Sequence, residues 1–579
     1  MEKRVLIAVV LSFLVLYLYQ SFLAPPPPKP QPAPAQRPEA GDTSRVAGRG
    51  SSRPPSAEQA QAAAPVGPSE PGPASRVGEG AERDIVIESA TVRAVFSNRG
   101  AHLKSWRLKT YRDDQGEAVD LVPQNHESAT RPFMVETGDG DLDARMNTAL
   151  FKADRMGVIG EEPDGTVTLG FEYGDEGGLS VRKTFTLTPA TYMMNVSADV
   201  TVNGEPRNVS LALGPGPGDI EKSSGTSYAQ KPQGTLFHAG DVVRIDAKSV
   251  VTQPVREGEF RWAGVDDQYF MSCALLDGDT ARIEYEAVAV PDGAGKTHNF
   301  VSYSVNPTGQ GASVRFFVGP KDFDLLQSID PQLVKSVNFG MFAWLAVPLL
   351  KALKGINAYI GNYGWSIIVL TFLINLVLFP LRHKSFVSMK KLQALQPEMK
   401  AIQDRYGKLK AADPARQKMN QELMELYKQR GVNPASGCVP MLLTMPVLFA
   451  FYSLLSVAIE IRGAPFVFWI TDLSRHDPWY VTPVMMGATM VLQQRMTPST
   501  ADPMQQKMMM LMPIVFTGMF LWAPSGLVIY WFFSNLFAIA QQWGTNRLTA
   551  AVPVKAVRPP AERRIKAAQK AGDRRQETE

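Results

Sequence analysis

Cysteine is nearly absent from this chain: two residues, Cys273 and Cys438, among 579. The topology read below puts them in different compartments, so neither a disulfide framework nor a thiolate metal site is available. The six histidines are scattered without ligand spacing. Charge imbalance is lacking too. Sixty Lys+Arg against 56 Asp+Glu leave +4, which by itself implies no nucleic-acid partner. No GxSxG, HExxH, paired-Asp or Cys/His arrangement stands in the apolar segments, and no ATP site is seen. Gly295-Lys296-Thr297 ends like a phosphate loop, but Val290 stands where the first glycine belongs and Pro291-Asp292-Gly293 is a turn. Asp139, Asp141 and Asp143 hint at a calcium loop, but Ala144 and Leu150 replace the required glycine and acid, so a solvated acidic loop is expected. An enzyme is not expected, nor any cofactor or metal.

What is present is a series of apolar runs. Trp365 to Leu381 is uncharged and about the minimum length that crosses a bilayer as a helix. Thr371 and Asn375 lie one turn apart on it, a polar stripe at membrane depth. Arg382, His383 and Lys384 mark its cytoplasmic end. Further runs occupy 439–459, 481–496, 508–522 and 525–541, and several are short enough to favour a locally thinned bilayer. They carry Thr444, Gln493, Gln494, Thr517, Ser534 and Asn535, which fit either a polar path or helix–helix hydrogen bonds. Their many methionines suit an adaptable apolar surface.

Around these runs the chain divides into segments. Residues 1–23 hold an apolar run after Lys3 and Arg4, with no clear small-residue cleavage site; a retained anchor with its N-terminus inside is expected over a cleaved signal. Residues 24–82, rich in Pro, Ala, Gly, Ser and Gln, read as a disordered tether. Residues 83–320 alternate with period two, as in Val181, Lys183, Phe185 and Leu187, and predict a large antiparallel sandwich. Segment 325–360 has helical apolar spacing. Were it to cross, the basic loop 382–434 would face outward, so an interfacial helix on the outer surface is expected.

Loop 382–434 reads as a helical hairpin. Leu392, Leu395, Met399, Ile402, Tyr406 and Leu409 form one seam, and Asp413-Pro414 starts a second helix that ends at Gly431 and Pro434. It is either a solvated helical pair or a docking arm for an anionic partner. A basic tail, 546–579, follows the last span.

GNYGWSIIVLTF (361–372), LQPEMKAIQDRYG (395–407), GVNPASGCVPMLLTMPVLFAFYSLL (431–455), APFVFWITDLSRHDPWY (464–480), DPMQQKMMMLMP (502–513) and FLWAPSGLVIYWFFSNL (520–536) together resemble the YidC/Oxa/Alb family of membrane insertases, in its long Gram-negative form. The resemblance covers nearly the whole chain outside the tether. It implies six transmembrane helices: an anchor plus a five-helix core, 361–545, enclosing a hydrophilic groove. It also implies a periplasmic β-supersandwich, a cytoplasmic helical hairpin, and both termini in the cytoplasm of a bacterial inner membrane. The groove would be lined by Thr371, Asn375, Thr444, Gln493, Gln494, Tyr530, Trp531 and Ser534. Asn375 stands where most members carry an arginine, and Trp531 where many carry tyrosine. Cytoplasmic basic contacts would be Arg382, Lys384, Lys390, Lys391, Arg405, Arg563 and Arg564. Expected partners are nascent membrane proteins, the ribosome, the Sec translocon and anionic phospholipids, with no specific nucleic-acid sequence. The competing classes, a secondary transporter or an intramembrane enzyme, lack their signatures: no internal repeat, coupling charge or catalytic motif is evident.

Overall fold

The structure, a computed structural model, describes residues 77–113, 115–124, 130–217, 230–291, 297–307, 312–406, 415–432, 439–497 and 503–548. The expected anchor, most of the tether, Gly295-Lys296, Asp413-Pro414, Pro434 and the tail beyond Leu548, Arg563 and Arg564 included, lie outside these residues. Pro73–Asp502 and Met509–Glu579 form one compact unit, which carries both the β-domain and the helices. Of the second unit only Pro503–Met508, the opening turns of one helix, lies among the described residues.

Between Asp84 and Pro320 the chain builds three sheets, of five, ten and five strands. The period-two pattern supplies the reason. In Leu179–Thr188 alternate residues are buried, and the strand pairs antiparallel with Met193–Val202 so that Phe185 stands opposite Val196. Phe133 joins the small and central sheets by edge contacts at 5.7 Å to Phe185 and 5.2 Å to Phe316. Trp106, fully buried, donates its indole N–H to the Val318 carbonyl at 3.0 Å, tying the first sheet to the central one. Lys183 is also fully buried, with Nζ donating to the carbonyls of Gly100 at 2.7 Å and Phe133 at 3.0 Å. Burial pushes this amine down to about 7.

The aspartates of 139–143 correct the expectation of a solvated loop, because they start a helix, α1 (Gly140–Thr148). Asp139 caps it by accepting from the Asp141 and Leu142 N–H groups, and Asp143 accepts from Thr137 N–H at 2.7 Å. A second short helix, α2 (Ala247–Thr252), lies further along the domain.

The helical region follows: α3 (Phe323–Ile329), α4 (Ala343–Ile360), α5 (Tyr363–Ala394), α6 (Gln396–Tyr406), α7 (Ala415–Arg430), α8 (Val439–Val457), α9 (Val481–Met496), α10 (Pro503–Phe520) and α11 (Ser525–Leu548). Two residues separate α4 from α5. Gly361, at φ +71°, ends the first, and the Asn362 side chain caps the second by accepting from Trp365 N–H. Ala346, Leu350 and Leu353 turn one face of α4 inward, while Trp344 and Tyr359 remain exposed.

Two sequence expectations change. The first limb of the hairpin is not one helix from Leu392 onward. Helix α5 runs through Pro380 to Ala394, Leu395 sits at the break, and α6 makes the rest. Leu392, Leu395 and Met399 still pack with Leu423, Leu426 and Tyr427 of α7. Six spans were expected. Among the described residues only Gly340–Ile360 and Tyr363–Ala394 are long and apolar enough to cross a membrane by length and composition. Thr444–Val457 and Lys507–Phe520 are shorter apolar helices. Helix α9 is 16 residues long, and glutamines, asparagines and threonines lower the hydropathy of α9 and α11.

Candidate functional site

A cavity of about 590 Å³ lies among α5, α8, α9, α10 and α11. Helix α11 contributes a stripe at helical spacing: Tyr530 and Trp531, Ser534 and Asn535, Ala538, Gln541 and Gln542, then Thr545. Helix α5 contributes Arg382, Ser385, Phe386 and Met389, and α8 adds Thr444, Met445 and Leu448. From α9 and its end come Met490, Gln493, Gln494 and Thr497; from α10 come Met509, Met512, Pro513 and Phe516. The lining is thus amphipathic, with amides and hydroxyls beside five methionines and several aromatic rings.

Some of these polar groups bind helix to helix. Asn535 Nδ2 donates to Thr489 Oγ1 at 3.2 Å, and Gln542 Nε2 to Thr497 Oγ1 at 3.0 Å, both joining α11 to α9. Gln541 Nε2 donates to the Phe379 carbonyl at 3.2 Å, and a His383 ring nitrogen lies 3.2 Å from Thr545 Oγ1, joining α11 to α5. Aromatic contacts back the wall. Tyr530 stacks on Phe451 of α8 at 4.2 Å, and Trp531 meets Phe520 edge-on at 5.0 Å.

Of the expected groove residues, Thr444, Gln493, Gln494, Tyr530, Trp531 and Ser534 all line this cavity. Thr371 and Asn375 do not. Thr371 is fully buried and its hydroxyl donates back to the Ile367 carbonyl of its own helix at 2.6 Å. Asn375, 7% exposed, donates Nδ2 to the Thr371 carbonyl at 2.8 Å and accepts at Oδ1 from Arg382 Nη1 at 2.6 Å. Two turns separate positions 375 and 382, so the arginine side chain folds back along the helix to reach its acceptor. Arg382 was assigned to the cytoplasmic basic contacts. It also lines the cavity, where among the described residues it is the sole charged side chain and no carboxylate joins it.

The remaining basic positions lie apart from the cavity. Lys384 is exposed. Lys390 Nζ lies 5.3 Å from the Phe386 ring centre, and Lys391 is half-buried in the last turn of α5. Arg405 pairs with Glu422 of α7 at 3.1 Å on the surface. Gln542 and Thr545 fall past an apolar run read as 525–541, and Gln541 closes that run without being singled out, although their spacing from Ser534 is helical.

Comparison with known proteins supports one family over nearly the whole described chain. The sequence pattern of the YidC periplasmic domain matches residues 84–352, and that of the 60Kd inner membrane protein family matches 355–551. The membrane protein insertase YidC of Geobacter metallireducens is 38% identical over 567 residues, covering 96% of this chain and all of that protein. Its counterpart from Geobacter sulfurreducens is also 38% identical, over 569 residues, again covering 96% of this chain and all of that protein. A YidC insertase crystal structure with its first transmembrane domain resolved covers 80% of this chain and is itself covered to 93%, at 19% identity and a TM-score of 0.34. With an all-β periplasmic domain joined to a helical C-terminal region, the chain belongs to the YidC family of inner-membrane protein insertases, which are not enzymes and act on nascent membrane proteins.

Proposed function

We propose that the cavity is the groove through which hydrophilic segments of nascent inner-membrane proteins pass while their apolar helices leave into lipid. The observation that carries this is the lining: one guanidinium and a stripe of amides and hydroxyls facing a methionine-rich wall. Such a lining holds water and accepts polar chain at a depth where lipid cannot. The methionines adapt to varied sequences, which suits a chaperone as well as an insertase. Burial of roughly 20 apolar residues then drives the helix into the bilayer, without a nucleotide.

The topology that goes with this is six crossings, with 1–23 as the anchor and the core at 361–545. Both termini and the α6–α7 pair are cytoplasmic, and α4 lies at the outer surface. The basic bias of 382–434 supports that orientation. A cysteine at Glu425 then resists an impermeant thiol reagent in intact cells, and free labelling there contradicts the topology. Lys384, Lys390, Lys391 and the tail residues Arg563 and Arg564 face anionic lipid and the ribosome, and the chain works alone or with the Sec translocon.

Asn375 and Arg382 act as a pair. The asparagine holds the guanidinium at the cavity, where low dielectric strengthens its attraction to a carboxylate. Insertion of one substrate with a neutral or an acidic tail, read by protease protection, tests the reading. Arg382→Gln slows acidic tails about tenfold and neutral tails little. Asn375→Leu harms both, because it frees the guanidinium and removes a polar group. Asn375→Arg gains little, since a second guanidinium beside the first repels it. Equal insertion of both tails in Arg382→Gln, or wild-type insertion of both in Asn375→Leu, contradicts the reading.

A further inference from the structure

We propose that the loop 464–480, between α8 and α9, is a membrane anchor that rests its aromatic rings in the outer-leaflet interface, with the buried carboxylate of Asp477 as its positioning residue. The rings are displayed rather than packed away. Phe468 is 90% exposed and Trp479 66%. Phe468 also holds a left-handed backbone, φ +53°, which a bulky residue adopts only under constraint. Trp469 stacks on Phe468 at 5.9 Å and on Trp479 at 5.1 Å. Asp477 organises the set. It has no exposure, and its two oxygens accept four hydrogen bonds. Oδ1 takes the Trp469 indole N–H and the Trp479 backbone N–H, both at 2.9 Å, and Oδ2 takes the Thr482 N–H at 2.8 Å and its hydroxyl at 2.9 Å. One carboxylate thus ties both tryptophans to the first turn of α9.

The loop is also fixed in place. Leu473 N–H donates to the Ala464 carbonyl and Phe466 N–H to the Ile470 carbonyl, each at 3.0 Å. Phe466 sits on Gly364 of α5, where an added Cβ would come within 2.0 Å of its ring, and meets Trp365 edge-on at 5.4 Å. Rings held this way meet a partner without a further ordering cost. The surroundings select lipid as that partner. The loop stands at the head of two outward apolar stripes, Trp365, Val369, Phe372 and Leu376 on α5, and Val484 and Leu492 on α9. Arg462, two residues before the loop, has its guanidinium carbon 5.1 Å from the Tyr269 ring centre and 4.8 Å from that of Phe270, so the loop lies on the side of the periplasmic domain. Its charges nearly cancel. Asp472 pairs with Arg475 at 3.3 Å, and Asp477 is enclosed, which leaves little to draw a charged head group or a charged protein. Tryptophan and phenylalanine rings held at the end of apolar helices suit the interface itself.

The test reads depth in the full chain, reconstituted in phosphatidylcholine vesicles. Single spin labels are examined by power saturation, with Cys438→Ser in the background and Cys273 left in its buried site. A label on Phe468→Cys should lie about 5 to 10 Å inside the interface, with Trp479 still holding the loop. Labels on Val251→Cys and Val377→Cys serve as references for water and hydrocarbon. Asp477→Ala should return the 468 label to water, with its collision rate with a polar nickel reagent rising several-fold. Asp477→Asn, which keeps one acceptor oxygen, should fall between. A carboxylate that only stabilises the fold would lower the unfolding temperature without moving the label. If Asp477→Ala does not accumulate in the membrane, Trp469→Phe decides, since it removes only the indole N–H and should move the label the same way by less. Depth should be indifferent to salt and to added phosphatidylglycerol. A 468 label as wet as that at 251 overturns the anchor, and so does a depth that follows the phosphatidylglycerol fraction. An unchanged depth in the deciding variant overturns the role of Asp477. The proposal takes from the topology above only the crossing of α5, which places the bilayer. A label at 377 found in water faults that crossing, whereas hydrocarbon at 377 with water at 468 faults the anchor.

Discussion

Val251 in the β-domain and Val377 on α5 are almost equally exposed, at 79% and 76%, yet their surroundings differ in kind. Around Val251 the surface is polar and the interior apolar, and the buried ammonium groups of Lys183 and Lys321 are each partnered. Around Val377 the order reverses. Phe372, Leu373, Leu376 and Phe379 lie outward on the same helix, while Arg382 and the amides of α9 and α11 face a shared interior space. One region keeps its polar groups outward, as water outside requires, and the other turns them inward, as the proposed groove requires. The lesson is that exposure alone says nothing of solvent. The direction in which the polar groups point does.

The largest effect should come from emptying the water-side core. Trp106→Ala removes one of the two fully buried tryptophans and its hydrogen bond to the Val318 carbonyl, at a cost of about 4 kcal/mol read by denaturant unfolding. Placing a charge on each exposed valine breaks the comparison next. Val377→Arg should cost about 3 kcal/mol or prevent stable accumulation in the membrane, whereas Val251→Arg should change stability by less than about 0.5 kcal/mol. Equal tolerance at both would mean that the α5 face does not meet lipid.

The β-domain also makes a pH prediction. Lys183 has a folded pKa of about 7, below its unfolded value of 10.5, because burial disfavours the ammonium. Between those values the unfolded chain binds more protons, so stability rises with pH, by at most about 1.4 kcal/mol per unit. Below 7 the burial penalty is fully in force. Urea unfolding of the wild type at pH 7 and 9 should therefore differ by about 2 to 3 kcal/mol in favour of pH 9, and Lys183→Met should flatten that difference. A wild-type profile already flat over this range counts against a neutral amine at this site.

Smaller effects separate the two interiors further. Val196→Ser, in the fully buried β-core, should cost about 2 kcal/mol, while Met512→Gln, at the cavity, should cost under about 1 kcal/mol because water and neighbouring amides receive the new group. Glu422→Ala, which breaks the exposed pair with Arg405, should be close to neutral, under about 0.5 kcal/mol by thermal unfolding.

Much of this was legible in the residues. Period-two alternation placed the strands at 179–188 and 193–202, and Gln493, Gln494 and Ser534 stood out as polar groups within apolar runs, whereas Tyr530 and Trp531 were named by the family resemblance; all five line the cavity. What escaped depends on side-chain reach and packing. Thr371 and Asn375 share a face at helical spacing, but spacing does not show that threonine bonds back to its own helix or that asparagine serves Arg382. The Asp139–Asp143 cluster looked like a loop because acidic residues are read as solvated, whereas Asp139 was an N-cap for a helix of low hydrophobicity. The break at Leu395 was hidden by a seam whose apolar spacing continues across it. The contact of Arg462 with Tyr269 and Phe270 spans almost 200 residues and leaves no local pattern.

The central claim is that polar chain and apolar helix take different routes past the same helices. It is tested most directly by placing a photo-crosslinker at Ser534, in the cavity, and at Val377, on the outward face, with a ribosome-stalled substrate. The account predicts that the hydrophilic tail of the substrate crosslinks to position 534 and not to 377, and that its apolar segment does not crosslink to 534. A tail that never reaches Ser534, or an apolar segment captured there instead, would contradict it.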